Sequence, residues 1–190
     1  MAQSKAALGR LAAELRSEMG LAEEDPFDPY AWGIAYGVPI LSLAEVSASE
    51  RAVRRFAVER PELWSAALIQ NGHGQVVVYN AAHSIVRVRS NLAHEVAHIA
   101  AEHAMTSAWM TDSGGCGGTS QVHEKEAAEL AGAILIPAER AKVHAIKGRN
   151  AADLALTYQV SVEMAQWRMR ASGGEMIARR SRTKWQSTRS

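Results

Sequence analysis

The 190-residue chain has a single cysteine, Cys116, and two phenylalanines. One thiol cannot make a disulfide within the chain, which excludes the small stapled extracellular scaffolds and fits a reducing cytoplasm. No apolar run approaches the roughly 20 residues that span a bilayer. Nor do residues 1–20 show the uncharged apolar core of a secretory leader, because Lys5, Arg10, Glu14, Arg16 and Glu18 are scattered through them. The expectation is a cytoplasmic protein with no membrane partner. Nor is there a large overall charge of one sign, since the formal net charge is +1. That balance conceals an asymmetry. From Arg168 to Ser190 seven basic residues face one acid, Glu175, whereas residues 1–167 are net acidic. A like-charged end segment rich in Ser, Thr and Gly predicts a solvated, disordered tail; its functional alternative is weak attraction to nucleic-acid phosphates.

What is present is concentrated in Ser90–His103, which contains His94-Glu95-x-x-His98. Residues four apart on a helix share a face, with Cβ atoms roughly 5–6 Å apart, so the two imidazoles can hold one zinc ion together. Glu95 points beside the metal, placed to take a proton from a water activated there. Leu92, Ala93, Val96, Ala97, Ile99, Ala100 and Ala101 make this a buried helix. Buried polar groups need partners. A metal is one partner, and hydrogen bonds within a core are the other.

A catalytic zinc usually has three protein ligands and an open position. Glu124 is the candidate third ligand, in the first turn of a helix whose Ala127, Ala128, Ala131 and Leu135 fall on its own face. Its rivals are His123, Glu126 and His103. Continued at ~100° per residue, the helix turns His103 about 140° away from His98, to an exposed place at the helix end.

The rest of the chain reads as follows. Residues 4–19 form an amphipathic helix stopped by Gly20, and Asp28-Pro29 opens a second that Gly37 closes. Residues 38–43 are a strand kept to a sheet edge by Pro39. Residues 44–61 are a short charged helix or connection. Two β-prone runs, 64–69 and 75–80, flank the turn Asn71-Gly72-His73-Gly74 as a hairpin. Ser90 or Asn91 caps the His-Glu-x-x-His helix. Residues 106–119 are a Gly-rich surface loop around Cys116, by default an inert thiol and otherwise an inhibitory zinc ligand. Asn150 and Ser161 cap two helices joined at Gln159-Val160. Their shape is that of a helix-turn-helix, or of a packing element that touches no DNA.

His94-Glu95-x-x-His98, followed by Glu124-x-x-Ala127-x-x-x-Ala131-x-x-Ile134-Leu135-Ile136-Pro137, resembles the ImmA/IrrE metallopeptidase family. Val77–Asn80 before Arg87-x-Arg89, and Leu154-Ala155-x-x-Tyr158-x-Val160-Ser161 through Arg168, extend the likeness over roughly residues 26–174. Ala97 departs from the commoner glycine and Ala128 from the frequent asparagine, and the Gly-rich loop looks like an insertion. The resemblance implies an α+β fold: a zincin-like core with a small β-sheet packed on the zinc-binding helices, then a C-terminal helix-turn-helix-like segment. The expected division is an N-terminal helix (1–25), the core (26–145), the helical pair (146–174) and the basic tail (175–190). With no room for a further C-terminal sensor domain, the chain looks like the shorter ImmA type of phages and mobile elements.

The function so implied is a cytoplasmic zinc endopeptidase that cleaves a helix-turn-helix transcriptional repressor. Zn2+ would be held by His94, His98 and Glu124, with Glu95 as the catalytic base. Two alternatives stand beside it: a peptidase acting on an antitoxin, and a non-enzymatic zinc-containing regulator that binds DNA or a protein through its C-terminal helices. The residues leave the donor to the oxyanion open among Tyr79, His83, His123, His144 and Tyr158.

Overall fold

A computed structural model describes residues 3–46, 48–103, 109–110, 116–117 and 120–187, with backbone alone at 109–110, 116–117 and 181–187. The described residues form an α+β fold with nine α-helices and a three-stranded sheet. The chain groups into two compact units, Met1–Lys5 with Asp28–Ala131 and Ala6–Phe27 with Gly132–Ser190. No helix among the described residues is long and apolar enough to cross a membrane.

In the first unit, α2 (Pro29–Tyr36) is capped by Asp28, which accepts from the Tyr30 N–H, and closed by Gly37 at φ 67°. Strand β1 (Ile40–Ser42) is an edge strand parallel to β3 (Gly74–Tyr79), and β2 (Ala66–Asn71) pairs antiparallel on the other side of β3. Gly72 and His73 are the two turn residues between Asn71 and its partner Gly74. Leu68 and Val77, directly opposite each other, pack on Val88 and Leu92 of α4 (Ile85–Ala100). Val88 and Leu92 are four apart, so one helical stripe meets one sheet face. Between β1 and β2 lie α3 (Glu50–Val53, capped by Ser49), a π-helical stretch Arg54–Glu59 and a 3-10 turn Pro61–Leu63. The buried Asn80 carboxamide ties this segment down, donating to the carbonyls of Phe56 (2.7 Å) and Trp64 (3.1 Å).

Two local expectations are corrected here. Helix α4 begins at Ile85 with Ser84 at its cap position, so Ser90 and Asn91 are inside it, and the Ser90 hydroxyl donates to Val86 O. Residues 85–89 hold no Gly or Pro to break a helix, and Ser84 is extended (ψ 150°), as a cap position requires. On α5 (Gln121–Leu135), Ala127, Ala131 and Leu135 are buried but Ala128 is exposed. The buried arc is centred near Ile134, from which Ala128 is turned ~120° but Glu126 only ~80°. The same arc takes in Glu126 and Leu130 instead. Of the Gly-rich stretch, the backbones of β4 (Trp109–Met110) and β5 (Cys116–Gly117) pair antiparallel. The Cys116 thiol and the rest of 106–119 lie outside the described residues.

The second unit holds most of α1 (Lys5–Glu18), then α6 (Ala138–Ile146), α7 (Ala151–Tyr158), α8 (Val162–Ala171) and α9 (Gly174–Ser187). Asn150 and Ser161 cap α7 and α8, and Gln159 at φ 53° ends α7. The last carbonyls of α5 have no helical partner ahead of Pro137, and two buried arginines supply one. Arg16 donates to Ile134 O (2.9 Å), and also to Ala22 O and Asp25 O (2.7 Å each); Arg168 donates to Ile136 O (3.1 Å). Gly132 is required, because a Cβ there would stand 2.3 Å from the Trp167 ring. The segment expected to be a disordered tail is helical over Gly174–Ser187. Gly174 seats its first turn against Lys142 and Ala145 of α6, and Ala178, one turn on, is buried. This small-residue stripe gives the basic segment a packing partner.

Candidate metal centre

Helix α4 presents His94 and His98 one turn apart, with ring centroids at 4.8 Å. Their Nε2 atoms are 3.1 Å from each other. The first turn of α5 brings in Glu124, whose Oε2 is 3.2 Å from His94 Nε2 and whose Oε1 is 3.5 Å from His98 Nε2. Among the described residues these three form a group able to hold a metal ion, all ligand atoms lying within 4.8 Å of one another. The spacing tests the fit. A tetrahedral ion with bonds of ~2.0–2.1 Å sets its ligand atoms about 3.3 Å apart along each edge. The observed separations, 3.1, 3.2 and 3.5 Å, bracket that value. Three lone-pair donors aimed at a common point repel one another unless a proton or a cation lies between them.

Glu95 is buried beside this group and accepts a hydrogen bond from the Leu68 backbone N–H of β2. Burial pushes its carboxyl up to about 7; His94 pulls it down, Glu124 pushes it further up, and the Leu68 N–H lowers it. Burial also holds His98 down at about 4, assisted by neighbouring His94. His98 is thereby a neutral imidazole at neutral pH, the form that ligates a metal. Burial lowers His94 too, but its hydrogen bond to Glu124 and the charges of Glu95 and Glu124 outweigh that and leave it raised.

His103, expected to be exposed and turned away, is buried with its ring against His98, centroids 5.0 Å apart. The helical extrapolation fails because α4 stops at Ala100 and the chain reverses. Glu102 is left-handed at φ 52°, the His103 N–H bonds to His98 O, and the Glu102 N–H bonds to Ile99 O. This is the Schellman arrangement, which folds the residue after the left-handed one back over the last turn. That position ordinarily takes glycine, so the sequence carries no local signal for it. His103 Nδ1 is 3.0 Å from His98 Nδ1, and its Nε2 is 3.1 Å from Oε2 of the buried Glu126. Neither residue shares the three-ligand group with His94 and His98.

Of the five oxyanion candidates, four are engaged elsewhere. Tyr79 packs edge-on to Tyr30, His83 Nε2 donates to Trp64 O, His144 Nε2 donates to Asn150 O, and the Tyr158 hydroxyl donates to Glu23 O. His123 adjoins the centre, its ring stacked on His103 at 4.5 Å.

A family profile described as the IrrE N-terminal-like domain matches residues 47–170, a span that contains His94, Glu95, His98, His103, Glu124 and Glu126. No curated protein matches the chain as a relative.

Proposed function

The chain belongs to the ImmA/IrrE family of metallopeptidases, and from that premise we propose a zinc endopeptidase that hydrolyses a peptide bond in a helix-turn-helix transcriptional repressor. The carrying observation is the convergence of His94, His98 and Glu124 on one point with Glu95 buried beside it. Two imidazoles and a carboxylate are a donor set suited to zinc. Bound zinc supplies Lewis acidity, polarising the scissile carbonyl and making a water molecule nucleophilic near neutral pH.

The chain's own residues do the rest. Glu95 takes the proton of the attacking water on a carboxylate oxygen and passes it to the departing amine nitrogen. A carboxyl lifted to about 7 is suited to both transfers, since a proton is accepted and released with little bias at neutral pH. Strand β2 supports a peptide substrate. It pairs with β3 on one side only among the described strands, and its Leu68 amide touches Glu95. An extended segment added along its outer edge would run past that carboxylate, held by main-chain hydrogen bonds. A cytoplasmic setting accords with the lone cysteine. The exposed Arg170, Arg179 and Arg180 of α8 and α9 offer a weak, salt-sensitive contact to nucleic acid beside this activity.

The test is incubation of the full chain with the repressor encoded beside it, with and without a chelator, read by mass spectrometry. One cut, lost on chelation and restored by zinc, is expected. An intact repressor under every condition, with an antitoxin cut instead, would reassign the substrate; no cut in any protein would remove the enzymatic reading.

A further inference from the structure

Glu126, His103 and His98 form a continuous hydrogen-bonded chain that ends at the candidate metal centre. Its polarity follows from which atoms carry protons. A carboxylate only accepts. The contact from Glu126 Oε2 to His103 Nε2 (3.1 Å) therefore requires the His103 proton on Nε2. Neutral His103 then has a bare Nδ1, and the neighbour of that atom, His98 Nδ1 at 3.0 Å, must be the donor. A neutral imidazole has one N–H. With that proton on Nδ1, the His98 lone pair stands on Nε2, the atom facing His94 Nε2 and Glu124. Reversed, the chain would put a proton on His98 Nε2 and close the centre to a cation.

The surroundings hold the chain in place. His98, His103 and Glu126 are all buried, so water does not compete for these bonds. The His123 ring lies flat on His103, 8° from parallel. The second Glu126 oxygen accepts the Gln3 backbone N–H. His103 itself is delivered by the left-handed turn at Glu102, a conformation of ~1 kcal/mol for a non-glycine residue.

We propose that His103 and Glu126 are positioning residues of the metal centre: a carboxylate–histidine–histidine chain that locks His98 in the tautomer whose Nε2 lone pair faces the ion. This rests on the reading of His98 as a metal ligand. Outer partners of this kind typically change metal affinity 10–100-fold.

The test measures zinc affinity by competition with a chromophoric chelator for the wild type, His103→Leu, Glu126→Leu, and the conservative variants His103→Asn and Glu126→Gln. The leucine variants should bind zinc 10–100-fold more weakly. Asn, whose side-chain oxygen can accept from His98, and Gln, whose oxygen can accept from His103, should recover most of the affinity. Long-range proton–nitrogen correlation of the metal-free wild type should place the His103 proton on Nε2 and the His98 proton on Nδ1. Leucine variants that bind zinc like the wild type, or a His103 protonated on Nδ1, overturn the proposal while leaving the metal centre standing. A wild type that takes up no stoichiometric zinc overturns the metal centre, and this proposal with it. Where the leucine variants fail to fold, the tautomers of the wild type decide.

Discussion

Both compact units bury ionisable side chains, and they do so to opposite ends. In the second unit, the Arg16 and Arg168 guanidiniums donate to backbone carbonyls of Ile134, Ala22, Asp25 and Ile136. Donors meet acceptors there, and the charge serves to finish a helix. In the first unit, the facing atoms of His94, His98 and Glu124 are all potential acceptors. Their accounting closes when a proton or a cation lies between them. A polar cluster is thus read as structural or functional by whether its hydrogen bonds balance.

The contrast can be broken most sharply at Glu95. Glu95→Gln should retain stoichiometric zinc and slow cleavage by about 10²–10⁴-fold, the usual contribution of a general base. Metal content and a cleavage rate measured together check this, and a variant that cuts at the wild-type rate excludes Glu95 as the base. On the structural side, Arg16→Met strands several carbonyls and should lower stability by about 3 kcal/mol. Urea denaturation reads that loss, and the zinc affinity of the folded protein should not change. An affinity that fell with it would mean the two regions are not separable in the way described.

Metal linkage is the next test in size. Zinc at a hundredfold excess over its Kd should stabilise the wild type by about 2.7 kcal/mol, and His98→Ala should lose that gain. An equal shift in both proteins would place the bound ion elsewhere. The smallest effect is at the strained turn. Glu102→Gly relieves a left-handed non-glycine residue and should raise stability by about 0.5–1 kcal/mol. The His103 contact to His98 should survive the change, and an unaltered or lowered melting temperature would count against strain at φ 52°.

Short-range rules account for much of what was readable. Asp28-Pro29, Gly37, the Gly72-His73 turn, Asn150 and Ser161 each act within a few residues, and each marks the boundary expected of it. The failures are where a boundary or a face depends on distant atoms. The start of α4 moved to Ile85. The buried arc of α5 took Glu126 rather than Ala128, because what covers a helix decides which residues are inside. The basic end segment became α9 because Gly174 and Ala178 found α6 to pack on.

By itself the sequence determined that His94 and His98 share a helix face, that Glu95 lies beside it, and that a carboxylate in the first turn of a later helix was the candidate to complete it. Those statements follow from helical periodicity and ligand chemistry, which need no knowledge of the fold. Only the tertiary structure decided that Glu124 comes to the two histidines while Glu126, two residues on, reaches His103 instead. It alone decided that His103 is inside. A left-handed residue at a helix end redirects everything after it, and no periodicity carries across such a turn.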